Sequence, residues 1–103
     1  MLDRITFQDK ISSKLKYFPE VTIIVKKFND EIIVTIDIES IIISISVVNT
    51  YGEYIVNSTN ENTYNTIYDQ HYQSLDDIID DIENNVKTCI TGSCIMTKSS
   101  NKR

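Results

Sequence analysis

Five acidic side chains in "SLDDIIDDIENN", Asp76, Asp77, Asp80, Asp81 and Glu83, are the residues whose types and spacing come nearest to chemistry. Carboxylates placed three and four apart share a side of a helix. They can form a solvated face that keeps an Ile-rich domain soluble, hold a cation, or face a basic partner. The other chemistry-bearing residues are sparse. His71 is the only histidine, the cysteines are Cys89 and Cys94, and the glycines are Gly52 and Gly92. A general base needs a positioned partner and a pocket, and the residues flanking His71 supply neither sign. Cys89 and Cys94 with one distant histidine do not make a four-ligand zinc set. Two isolated glycines do not make a phosphate-cradling loop. The reading is therefore a non-enzymatic chain with no cofactor and no metal.

"DDIIDD" resembles the aspartate-rich motif with which terpene and prenyl synthases bind Mg²⁺ and diphosphate. The matching residues are Asp76, Asp77, Asp80 and Asp81. The resemblance covers six residues. The long all-helical fold and second metal motif of that family have no counterpart in 103 residues.

The acidic run belongs to a larger pattern. Residues 1–28 carry six Lys or Arg and three acids, residues 29–86 twelve acids and no Lys or Arg, and residues 87–103 four Lys or Arg and no acid, for a net charge of −5. Asp76 and Asp77 sit in the first turn of a helix, where the helix dipole favours anions. Asp80 and Asp81 lie beyond it, each four residues from a like charge, which costs about 0.2–0.5 kcal/mol per pair. Helix stability accounts for half the run only. The remainder reads either as a solvated face or as a partner-binding surface made of Asp76, Asp77, Asp80, Asp81 and Glu83, with Glu53, Glu61 and Asp69 as neighbours. Lys10 and Lys14 form a small basic patch, expected to face away from this helix or to meet acids of a second copy. The acidic balance disfavours direct nucleic-acid binding.

The elements that must position these residues are legible from periodicity. Leu2, Ile5, Phe7, Ile11, Leu15 and Phe18 predict a helix over 2–17, ended by Pro19. "VTIIVKKF", "IIVTIDIE" and "IIISISVV" are β-branched runs joined by short turns, followed by "EYIVN" after the turn at 49–52; these predict an antiparallel meander. "STNEN" at 58–62 reads as a loop and 63–69 as a fifth strand. Ser74 caps a final helix, with Leu75, Ile78, Ile79, Ile82, Val86, Cys89 and Ile90 as one apolar stripe and Gly92 as its C′ residue. The expected fold class is α+β: one domain, an N-terminal helix, four or five antiparallel strands, and an acidic C-terminal helix packed on one sheet face. Residues 93–103 read as a tail, with a short strand at 94–97.

Alternation assigns Val21, Ile23, Val25, Ile32, Val34, Ile36, Ile38, Ile41, Ile43, Ile45 and Val47 to one apolar face. The opposite face mixes Thr, Ser, Lys and Asp with Ile24, Phe28, Ile33, Ile42 and Val48, so it is either covered or an association surface. The charged opening "MLDRITFQDK" lacks the apolar core of a signal peptide, and no run is long enough to span a bilayer. A cytoplasmic location follows as the expectation. Nineteen isoleucines and no alanine suggest an AT-rich coding sequence, as in many phages and viruses. The functional expectation is a small acidic inhibitor that blocks a basic, nucleic-acid-handling or defence protein of a host, in the style of anti-CRISPR proteins. The alternative is a self-associating accessory protein, a homodimer through the half-apolar sheet face.

Overall fold

The computed structural model describes residues 3–38 and 41–91, with side chains through Lys87. Helix α1 spans Arg4–Leu15 and helix α2 spans Leu75–Thr91. Between them run β1 (Val21–Phe28), β2 (Glu31–Ile38), β3 (Ile41–Thr50), β4 (Glu53–Asn60) and β5 (Thr66–Tyr72). The strands form one antiparallel sheet in the order β1-β2-β3-β4-β5. The α+β expectation holds.

Short turns explain the meander. Phe28 pairs with Glu31 and Thr50 with Glu53, leaving two-residue loops. Asn29 adopts φ 54°, which asparagine tolerates because its short side chain bonds locally. Tyr51 (φ 50°) and Gly52 (φ 82°) are both left-handed, as a hairpin turn matched to the strand twist requires.

Both helices lie on the face that alternation marks as apolar. Phe7, Ile11 and Leu15 of α1 and Ile78, Ile79, Ile82 and Val86 of α2 join Val25, Ile32, Val34, Ile36, Ile43, Ile45, Val47 and Val56 in one buried cluster. Tyr72 and Ile38 complete it.

Several boundaries differ from the expected ones. Helix α1 begins at Arg4, because Asp3 Oδ1 accepts from the Ile5 amide (3.1 Å) and Oδ2 from Thr6 Oγ1 (2.8 Å). Hydrogen bonding to Thr6, then to the Ile5 amide, holds the Asp3 carboxyl below its ordinary value. The helix stops at Leu15, four residues before Pro19, and Ile5 is 59% exposed. The buried face follows strict steps of four, 7-11-15, and Ile5 lies off it.

Residues 58–60 are strand, not loop, and β5 begins three residues later than expected. The cause is Asn60, which is buried and whose Oδ1 accepts from the amides of Asn62 (2.9 Å) and Thr63 (3.1 Å). This Asx turn moves the reversal to Glu61–Asn65. In α2, Ser74 Oγ accepts from the Asp77 amide at 3.2 Å, as its capping role predicts. The Cys89 and Ile90 side chains, the Gly92 cap, the tail and the strand at 94–97 lie outside the described side chains or residues.

Candidate functional site

A meander keeps sequence order as spatial order, so the charge blocks of the sequence become sides of the molecule. Strand β1 carries Lys26 and Lys27, and no lysine or arginine lies on β2 to β5. Helix α1 packs beside β1, α2 packs near β5, and the helices touch each other. A seam forms where the basic and acidic blocks meet.

Across that seam Lys10 Nζ lies 2.9 Å from Asp76 Oδ1, and Lys14 Nζ lies 3.3 Å from Asp80 Oδ1 and 3.9 Å from Glu83 Oε1. Both rows advance by four residues together, so the two helices run side by side in the same direction. Lys87 approaches Glu83 at 3.9 Å from within α2. The expectation that Lys10 and Lys14 face away from the acidic helix is corrected. They face it, because Phe7 and Ile11 turn this flank of α1 toward α2. The seam borders a cleft of about 540 Å³ that also contains Asp9, Ser13 and Ile79.

Asp81 departs further from expectation. It is part neither of a solvated face nor of an exposed partner surface. It is 1% exposed, and Tyr72 Oη donates to its Oδ2 at 2.7 Å. Burial pushes the Tyr72 phenol well above its ordinary value, and the hydrogen bond to Asp81 adds to this. The two aspartates that helix stability left unexplained therefore have partners inside the fold: Lys14 for Asp80 and Tyr72 for Asp81. Asp77 remains exposed, as do Glu61 and Asp69. The four aspartates of "DDIIDD" do not converge, and among the described residues no group of three potential ligands is placed to hold a metal ion.

These ion pairs give a test. Hydrogen bonding to Lys10 holds the Asp76 carboxyl below its ordinary value. A depressed carboxylate stabilises the fold above its unfolded pKa of 3.8 and stops doing so as pH falls through the folded value. Thermal melts from about pH 6 to about pH 3 should show stability falling with acidity, and Lys10→Met should flatten that slope. At neutral pH Lys14→Met should cost only about 0.2–1 kcal/mol, the range of exposed pairs.

The second surface is the sheet face opposite the helices. Cross-strand register sorts its residues into rows. One row is Phe28, Glu31, Val48, Ile55 and His71; the next is Lys26, Ile33, Ser46 and Asn57. A third is Ile24, Thr35, Ser44, Thr59 and Thr66, and a fourth Thr22, Asp37 and Ile42. Ile24, Phe28 and Ile42 are 50%, 56% and 37% exposed, and Ile33, Val48 and Ile55 are half-buried. All five residues expected for self-association thus share this face. Glu31 accepts a hydrogen bond from Ser46 Oγ, and Thr59 and Thr66 hydroxyls meet at 3.0 Å.

His71 belongs to this face as well. Its Nδ1 lies 3.2 Å from Glu53 Oε1, a partner that the sequence did not reveal because the two residues meet only through the β4–β5 pairing. Neither helix of the described residues is long and apolar enough to cross a membrane. Comparison with protein-family models, curated proteins and solved structures finds no match to this chain.

Proposed function

We propose that this is a non-catalytic binding protein whose working surface is the open face of its sheet. The observation that carries the reading is the placement of both helices on one face, leaving Ile24, Phe28 and Ile42 exposed on the other. With the half-buried Ile33, Val48 and Ile55 among them, they make this face more apolar than a solvated sheet face, and an open face of that kind suits association. The acidic helix is the weaker surface, since Asp76, Asp80 and Glu83 have lysine neighbours and Asp81 is buried.

A second reading rests on Asp77, Glu61 and Asp69, which are exposed and belong to the stretch without lysine or arginine. They suit a basic protein partner, and an inhibitor of a nucleic-acid-handling or defence protein is the form this reading takes. It is compatible with the first at Asp77 alone, because association through the sheet leaves α2 outward.

Affinity capture from cell extract separates the two. Ile24→Glu with Ile42→Glu should reduce recovered partner at least about tenfold, while Asp77→Lys should leave it unchanged; Ser12→Glu controls for added charge. The reverse pattern would move the function to the acidic side.

A further inference from the structure

We propose that the occupant of the open face is a second copy of this chain, packed face to face about a two-fold axis that runs parallel to the strands over β3. The proposal rests on the open face being the working surface, and it adds the partner and its orientation.

Three observations select a second copy in this arrangement. The first is that both sheet edges are guarded. The β1 edge carries exposed Lys26 and Lys27, and β5 has an irregular register between Val56 and Ser58 with Asp69 at φ 54°. Edge lysines and bulges are devices that prevent strand-to-strand growth. In-plane extension is blocked while the face stays open, so association closes at two.

The second is area. Five strands about 4.8 Å apart and eight residues long at about 3.3 Å each give a face of roughly 600 Å². Two such faces bury about 1,200 Å², the lower end of a standard specific interface. Sheets of this kind pack about 10 Å apart with strands within about 30° of each other.

The third is charge, which fixes the axis. A two-fold perpendicular to the strands lays β1 on β1 and β2 on β2, setting lysines near lysines and Glu31 near Asp37. A two-fold parallel to the strands lays β1 over the other copy's β5. Lys26 lies in the row Lys26–Ile33–Ser46–Asn57, and Asn57 Oδ1 accepts the Asp69 amide at 2.8 Å. Lys26 and Asp69 thus stand at opposite ends of one row. The axis brings Lys26 of each copy to Asp69 of the other, and sets Ile42 and Val48 of β3 against themselves.

Sedimentation equilibrium at micromolar concentration should give twice the 11.9 kDa chain mass. Ile42→Glu should raise the dissociation constant at least about a hundredfold, because two carboxylates then meet at the axis. Lys26→Glu and Asp69→Lys should each be monomeric alone. Mixed, they should form a 1:1 heterodimer, since both cross-copy contacts regain opposite signs. Circular dichroism confirms that each variant is folded, and Asp69→Asn, which suits the positive φ, should weaken the dimer without a charge reversal.

A wild type that stays monomeric at about 0.5 mM overturns the proposal. So does a dimer that ignores Ile42→Glu but is lost on Lys27→Glu, which assigns the contact to the β1 edge. A monomer whose partner capture is still abolished by Ile24→Glu with Ile42→Glu removes the second copy and leaves the open face as the binding surface.

Discussion

Phe7→Ala should cost about 3–5 kcal/mol, the loss expected when a fully buried aromatic is truncated and its cavity only partly collapses. Phe7 is fully buried, and it anchors α1 with Ile11 and Leu15 and no other buried residue. A helix of 12 residues is marginal in isolation, so α1 depends on this packing to exist. Domains of this size are stable by about 5–15 kcal/mol, and a fall in Tm of about 15 °C or more should follow. The loss has a charge signature. Undocking α1 removes Lys10 and Lys14 from Asp76 and Asp80, so the variant should lose the acid-side pH slope that the wild type shows. Ile5→Ala, on the same helix but 59% exposed, should change neither Tm nor slope. Amide exchange should report α1 opening ahead of the sheet; simultaneous loss of both would mean the helix is not a separable unit.

The sheet was legible because strands announce themselves locally. Val34, Ile36 and Ile38 alternate with Ile33, Thr35 and Asp37, and a period of two assigns every side chain to a face once one residue is placed. The same regularity exposed the unusual second face. Alternation could not say which face the helices cover, but the more apolar one is where burial gains most, and the helices lie there.

What stayed illegible was non-local. Lys10 and Asp76 are 66 residues apart, and nothing in either segment alone says that α1 and α2 lie side by side. A signal was present in the matched spacings of 10 and 14 with 76 and 80. It becomes readable only once both helices are assigned to one sheet face. Asp81 shows a second limit. At about 100° per residue it falls about 60° from Ile78, at the margin of the apolar stripe. A margin residue is buried or solvated according to which flank meets the sheet. That depends on Tyr72 at the end of β5, a strand whose start the Asx turn at Asn60 had displaced.

Removing one member of the Tyr72–Asp81 pair should be the other costly change. Tyr72→Phe takes a 2.7 Å donor from a carboxylate that is 1% exposed, and loss of a hydrogen bond to a charged group costs about 1.5–3 kcal/mol. Asp81→Leu instead leaves the phenol buried without that acceptor, at about 1–3 kcal/mol. The double variant should cost clearly less than the two together, because it replaces both polar partners with apolar groups in one site. The alkaline limb gives an independent check. The Tyr72 phenol is raised in the fold by burial and then by Asp81, so its contribution is complete below the ordinary value of 10.0 and declines as pH rises above it. Melts above about pH 10 should therefore fall less steeply for Tyr72→Phe than for the wild type. Strict additivity in the double variant would mean the two groups act separately. The pair also separates structure from function within the acidic run: Asp81→Leu should lower Tm yet leave association through the sheet face unchanged. An Asp81 that acts as a partner contact predicts the opposite, with binding lost and stability kept.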